Sequence, residues 1–395
     1  MDRGKGFKPT GWTVLFLMIP SMFIMMGGAV VAPALPAIGQ AFPDASQLMV
    51  SLVITIPGTA IAVTGFGLGY LADRIGKVRL LVLSALLLGV SGSAGYFLES
   101  LPAIVVSRFF LGMSIGGFTV STTALITDYY EGDARLRIIG LQSASMGIGV
   151  LILEVLGGFL ADIGWRVSFL PYLIGIPMAI GMALTMREPA APSPVADTAE
   201  SEDVGINLKS VAACYAIACL GLLLAYVLPT MLPYCMNEIG MSGLAIGVLI
   251  GWFGVCMAIS SMLYRRISGR LGRFQILTLA FGVTGIGYCL MFDTSSLSMM
   301  VLSLALIGFG LGMVTPAVVD WLALLSNPGN SGRIMGGYSS VLNFGPLLSA
   351  VLATSVLSMV PGYGAMFSII GLLALVLCLI CALPMAKNLI SKRGA

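Results

Sequence analysis

Apolar residues run along this chain in long blocks, interrupted by short polar stretches at near-regular intervals. The blocks fall at 12–35, 48–70, 80–98, 103–126, 138–160 and 167–185, then at 210–233, 244–264, 274–292, 297–325, 334–360 and 365–386. Each is about long enough to cross a bilayer as a helix of roughly 20 residues. The pattern predicts an all-α membrane protein of twelve transmembrane helices. Its character changes once, where Pro189, Pro192 and Pro194 precede Asp197, Glu200, Glu202 and Asp203 with little apolar between them. Residues 186–209 therefore read as a flexible, solvated linker. It separates a six-helix bundle at 1–185 from a second at 210–395.

Composition agrees with the blocks. Hydrophobic residues make up 58% of the chain and charged residues 9%, which excludes an ordinary soluble domain. The charged start with Arg3, Lys5 and Lys8 leads into 12–35, long enough to stay as a first span rather than a cleaved signal. With both termini inside, eighteen of the twenty Lys and Arg fall on the cytoplasmic side. Arg166 alone lies in an outer loop, and Arg108 lies inside a span. This asymmetry follows the positive-inside rule and supports an even number of helices with cytoplasmic ends. The seven cysteines all lie in the second half, mostly inside apolar blocks, so no disulfide framework is implied. Cys378 and Cys381 have redox-motif spacing, but packing inside a membrane helix is the better reading. The absence of histidine removes the commonest general base and metal ligand, and no metal or cofactor is expected.

The halves also repeat. A shift of 196 residues without a gap places Pro33 on Pro229, Gly58 on Gly254, Arg74 on Arg270 and Gly76 on Gly272. It also places Gly89 on Gly285, Gly112 on Gly308 and Gly116 on Gly312. The expected architecture is thus two pseudo-symmetric six-helix bundles.

Between the second and third blocks stands Gly69-Tyr70-Leu71-Ala72-Asp73-Arg74-Ile75-Gly76-Lys77-Val78-Arg79. Gly69 would let the end of one helix pack closely on a neighbour, and Gly76 supplies the permissive backbone of a tight reversal. The ordered Gly, Asp-Arg, Gly, Lys, Arg spacing closely resembles the loop signature of the major facilitator superfamily of transporters. Arg108-Phe109-Phe110-Leu111-Gly112 with Gly116 resembles the fourth-helix motif of that family. Thr127-Asp128-Tyr129-Tyr130 before Arg135 and Arg137 resembles the exit from that helix, and Gly164-Trp165-Arg166 with Phe169 the loop before helix six. The second hairpin, Gly269-Arg270-Leu271-Gly272-Arg273, departs by carrying Gly269 where Asp73 stands. The resemblance implies the fold above, a substrate site near the membrane midplane between the two bundles, and a cytoplasmic gate formed by Gly69, Asp73, Arg74, Gly76, Lys77, Asp128, Arg135 and Arg137. Simple anchoring by positive charge is the alternative, and it suits Lys77 and Arg79.

Three charged residues fall inside or near the ends of spans, where ionisable groups are costly and mark pathways or partners. Arg108 lies roughly 8 Å, and Glu154 roughly 10 Å, from the outer ends of consecutive helices, at 1.5 Å per residue. They are expected to pair in one state and to be separated by protonation or substrate in another; a permanent ion pair joining the helices is the alternative. The fourth-helix Arg is tied to proton coupling in related transporters. Glu154 also departs from the family, since drug–proton antiporters usually carry Gly-Pro where this chain has Leu153-Glu154. Asp320, after Pro316 in the tenth block, reads either as a proton or cation site or as a carboxylate in cytoplasmic water. Met22, Met26, Gln142, Tyr226, Tyr234 and Asn343 are candidates for the cavity lining, with lipid contact or helix packing as the plainer reading.

Together these features predict a secondary active transporter working by alternating access. It is expected to export small amphipathic organic compounds in exchange for protons, as a monomer in a prokaryotic inner membrane. Proton-coupled or facilitated uptake of a small organic solute or anion is the alternative. A membrane enzyme, a channel and an ATP-driven pump are disfavoured, for want of clustered catalytic groups, a pore loop and a P-loop. Nothing points to nucleic acid.

Overall fold

A computed structural model of the chain describes residues 9–26, 29–189, 208–294, 296–326 and 330–393. Arg3, Lys5 and Lys8, the Met26 side chain and most of the expected 186–209 linker lie outside the described residues. The chain forms two compact units, Met1–Glu202 and Asp203–Ala395. Both are helical, with no strand among the described residues.

The first unit contains α1 (Gly11–Met26), a 3-10 segment (Ala29–Ala34), α2 (Leu35–Ala41), α3 (Gln47–Ile75), α4 (Lys77–Ser93), α5 (Leu101–Tyr129) and α6 (Gly132–Ile163). A 3-10 segment (Val167–Ile174) and α7 (Gly175–Thr185) complete it. The second unit contains α8 (Leu208–Glu238), α9 (Gly243–Ser268), α10 (Arg273–Leu290), α11 (Leu297–Leu325), α12 (Ser331–Leu342), α13 (Gly345–Leu357) and α14 (Gly362–Arg393). Among the described residues, eleven segments are long and apolar enough to cross a membrane. The shorter apolar pair Gly11–Ile24 and Val30–Ala41 stands where the first of twelve spans was expected.

The 196-residue repeat is present in the helix boundaries. α3, α4 and α5 begin at 47, 77 and 101, and α9, α10 and α11 begin at 243, 273 and 297. The caps repeat as well. Ser46 accepts from the Met49 amide at 3.3 Å, and Ser242 accepts from the Ala245 amide at 3.3 Å. Each satisfies one of the four donors that a helix start leaves without a partner. Packing repeats too. Gly112 lets α5 approach the Pro57 carbonyl of α3, and Gly308 lets α11 approach the Phe253 carbonyl of α9. Gly89 of α4 meets Gly175 of α7 backbone to backbone, as Gly285 of α10 meets Gly371 of α14. Any Cβ at these crossings would collide with main chain, so the residue type follows from the interhelical distance.

Three expected continuous helices are broken. The 12–35 span divides after α1 into a 3-10 segment containing Pro33, and α2 then carries the helix on to Ala41. The 167–185 span begins as a 3-10 segment around Pro171. The 334–360 span divides at Asn343 and Phe344, ahead of Pro346. In each case a proline lies within or just after the break, where it removes a main-chain donor and its ring crowds the preceding turn.

Candidate transport site

Arg108 lies on α5 and is fully buried. Its Nη2 donates to the Gly92 carbonyl at 2.6 Å. Gly92 is in the last turn of α4, whose carbonyls lack partners within the helix and carry its partial negative charge, so a cation is favoured there. The guanidinium also lies over two rings, with Cζ 4.4 Å from the Phe169 centroid and 4.9 Å from the Tyr172 centroid. Cation–π contacts of this kind are worth about 2 kcal/mol when desolvated. Room for the rings is made by Gly95 and Gly92, where a Cβ would occupy the space of Phe169 and Tyr172.

The 3-10 segment carrying both rings is held at its N-terminal end. Arg166 donates to the Tyr96 and Leu98 carbonyls at 3.1 and 3.2 Å, and Trp165 packs edge-on against Phe42 and Phe169. On its other side Tyr172 meets Phe23 of α1, with centroids 6.3 Å apart. The expected Gly164-Trp165-Arg166 motif therefore positions the walls around Arg108.

Glu154, on α6, is also fully buried. Neither of its carboxylate oxygens meets a hydrogen-bond partner among the described residues, and the same holds for Nε and Nη1 of Arg108 and for the Ser168 hydroxyl. In this conformation Arg108 and Glu154 stand apart, so a permanent ion pair is not made. Tyr172 lies within electrostatic reach of both. What results is a buried acid and a buried base, each with unused hydrogen-bonding capacity. An isolated carboxylate in such a place must either take up a proton or meet a cation.

The hairpin between α3 and α4 is built around Gly76, whose φ is +104°. Its amide closes α3 onto the Ala72 carbonyl, while Lys77 opens α4. Glu188, beyond the end of α7, caps α4 from 111 residues away. Its carboxylate accepts from the Lys77 amide and, at 3.1 Å, from the Val78 amide. A Cβ on Gly76 would fall on that carboxylate. Next to it Lys77 and Asp128 form an ion pair at 2.5 Å, and the Tyr129 hydroxyl donates to the Arg187 carbonyl at 2.6 Å. Arg135 donates to the Tyr130 and Thr127 carbonyls at 3.1 and 2.7 Å, tying α6 to the end of α5. Asp73, Arg74 and Arg137 are exposed and make no ion pair among the described residues; Arg74 lies over the Tyr70 ring, 4.7 Å from its centroid. Gly69 does not serve close packing here, since no atom lies within 4 Å of where its Cβ would be.

The remaining candidates are scattered. Asp320 is exposed and accepts from the Tyr264 hydroxyl at 3.1 Å. Gln142 is half-buried and donates to Thr122 of α5 at 3.2 Å, which joins two helices. Asn343 sits at the α12–α13 break and donates to its own helix at the Ser339 carbonyl, 2.8 Å away. Met22 is half-buried, and its backbone packs on Gly149 of α6. Tyr226 and Tyr234 are half-buried, and the Tyr234 hydroxyl is buried without a hydrogen-bond partner among the described residues. Sequence reasoning missed Glu188, Phe169 as a wall of the Arg108 site, and Tyr172. The closely spaced Gly89, Gly92 and Gly95 on one block, opposite Phe169 and Tyr172 on another, were the available signal.

The sequence model described as Major Facilitator Superfamily matches residues 17–233 and 211–390. The chain is 31% identical over 138 residues to the cis,cis-muconate transport protein of Acinetobacter baylyi, a match covering 35% of this chain but only 33% of that protein. It is 23% identical over 351 residues to Multidrug resistance protein 1 of Bacillus subtilis, covering 86% and 89% of the two chains. A solved bacterial homologue of the human lysosomal transporter Spinster has the same fold, with a TM-score of 0.76 at 17% identity over 95% of this chain and 96% of that one. The resemblance carried by the hairpin therefore extends over nearly the whole chain. This integral membrane protein belongs to the Major Facilitator Superfamily and is a transporter, not an enzyme.

Proposed function

We propose that the protein is a proton-coupled exporter of small amphipathic organic compounds, working by alternating access as a monomer in a prokaryotic inner membrane with both ends cytoplasmic. The observation that carries this reading is Glu154, a fully buried carboxyl with neither oxygen partnered, sharing Tyr172 with a buried Arg108. Glu154 takes up and releases the proton. Arg108 is the fixed charge that feels whether the proton is there. The likeness to a multidrug resistance protein, 23% identical over 86% of this chain, supports the drug-like substrate and the outward direction. At the cytoplasmic end, Lys77–Asp128, Arg135 and the Glu188 cap form the ordered part of the gate, joined in another state by Asp73, Arg74 and Arg137. Asp320 is a peripheral second-half group, and residues 186–209 are the linker between the bundles.

A second reading is favoured by one feature. Nε and Nη1 of Arg108 have no hydrogen-bond partner among the described residues, and spare guanidinium donors suit a carboxylate, so uptake of an organic acid fits the same residue. The match to a muconate transport protein points the same way.

Proteoliposomes with an imposed pH gradient and an internal pH indicator separate the two. Proton release on adding a lipophilic cation or neutral drug, lost in Glu154→Gln, is the expected result. Proton entry together with an organic acid would replace it with the uptake reading. Solute exchange without any proton signal would remove proton coupling altogether.

A further inference from the structure

The two hairpins related by the 196-residue repeat share a backbone plan but not a charge balance. In the first, Arg74, Lys77 and Arg79 stand with three acids, Asp73, Asp128 and Glu188. Lys77 pairs with Asp128, and Glu188 caps α4. In the second, the shift puts Gly269 in place of Asp73, Leu324 in place of Asp128 and Pro384 in place of Glu188. All three acids are gone. Of the bases only Arg79 is lost, to Gln275: Arg270 and Arg273 replace Arg74 and Lys77, and Arg265 and Arg266 are added where the first copy has Gly69 and Tyr70.

Capping changes to match. At α10 the side chain engaged at the helix start is local and neutral: the Gly272 amide donates to the Gln275 side chain at 2.8 Å. Arg265, Arg266, Arg270 and Arg273 are all exposed, and none forms an ion pair among the described residues. Arg273 lies over Trp321, 5.6 Å from its centroid. The one neighbouring acid on α11, Asp320, accepts from Tyr264 instead. Arg266 and Arg270 flank a groove whose other walls are Ile267 and Leu271, at the end of a membrane-length helix.

We propose that this groove holds the headgroup of an anionic phospholipid, with its phosphate between Arg266 and Arg270 and the start of its acyl chains on Ile267 and Leu271. Charge complementarity selects the occupant. Two guanidinium groups without an acid call for an anion, and apolar walls at the helix end call for one that carries hydrocarbon. A free phosphate would use only the arginines. Placement in the cytoplasmic leaflet, which is rich in anionic lipid, rests on the orientation proposed above; the binding itself does not.

Native mass spectrometry of the detergent-purified protein, titrated with phosphatidylglycerol or phosphatidylcholine, tests the site without a bilayer. Tighter binding of phosphatidylglycerol is expected, with a loss on the order of 30-fold in Arg266→Gln/Arg270→Gln, since each basic residue near an anionic surface contributes about a fivefold factor. Phosphatidylcholine binding should not change. Arg266→Lys/Arg270→Lys, which keeps the charge, should retain most of the affinity and guards against a merely misfolded Gln variant. Arg333→Gln, another exposed base of the same unit, should have no effect. An equal loss in Arg333→Gln would reduce the site to diffuse positive charge and overturn the proposal. Displacement of the lipid by glycerol phosphate at equal concentration would overturn it in favour of a soluble phosphate site.

Discussion

The junction of Gly76 with Glu188 lends itself to a quantitative test. Gly76→Ala should destabilise the hairpin twice over. At φ +104° and ψ 148° the backbone is in a region open essentially to glycine alone, and forcing another residue there costs about 1–3 kcal/mol. The new Cβ would also displace the Glu188 carboxylate, so α4 would lose its cap, worth about 1 kcal/mol. Glu188→Ala removes only the cap. In the double variant the cap can be lost only once. The two single costs should therefore exceed the double cost by about 1 kcal/mol, roughly a fivefold factor in local opening. Amide hydrogen exchange over peptides covering residues 76–80 reads that opening directly, because the Lys77 and Val78 amides are the donors concerned. Thermal unfolding of the same four proteins gives the global counterpart. Additivity within about 0.5 kcal/mol would refute the reasoning, since it would mean that Glu188 and the Gly76 backbone do not share one space.

Two further outcomes follow from the helix contacts. Arg108→Lys keeps the charge but cannot lie flat on two rings while reaching the Gly92 carbonyl, so transport should fall at least tenfold and stability by about 1–3 kcal/mol, measured by solute flux and melting. Gly112→Ala and Gly308→Ala should each cost about 1–3 kcal/mol by forcing a helix away from a backbone carbonyl, whereas Gly140→Ala, in open space, should melt as wild type.

Much of the architecture was legible because membrane solvation acts locally. Every span must satisfy its own backbone and present apolar side chains, so helix number, ends and repeat are written into runs of adjacent residues. The Ser46 and Ser242 caps and the glycine crossings kept the register that the sequence repeat predicted. Breaks in helices were less legible, since membrane helices often accommodate proline. Pro57 and Pro316 lie within continuous α3 and α11, while Pro33, Pro171 and Pro346 accompany interruptions. Contacts between distant residues were the least legible. Glu188 reaches α4 across 111 positions, and no local pattern marks it as a cap. Arg108 and Glu154 stood out as expensive residues, but the direction each faces is set by rotation about its axis and by the rings of Phe169 and Tyr172.

The paired glycine crossings leave a mark on how the chain can vary. Gly89 against Gly175 and Gly285 against Gly371 are the same crossing built twice, as are Gly112 on Pro57 and Gly308 on Phe253. Each pair lies 196 positions apart, so a map of tolerated substitutions would carry an echo at that interval, with an intolerant position in one half answered by one in the other. The charged residues at the two hairpins would not share the echo. Where the interval fails, each half answers only to its own local contacts, Lys77 with Asp128 in one and Gly272 with Gln275 in the other.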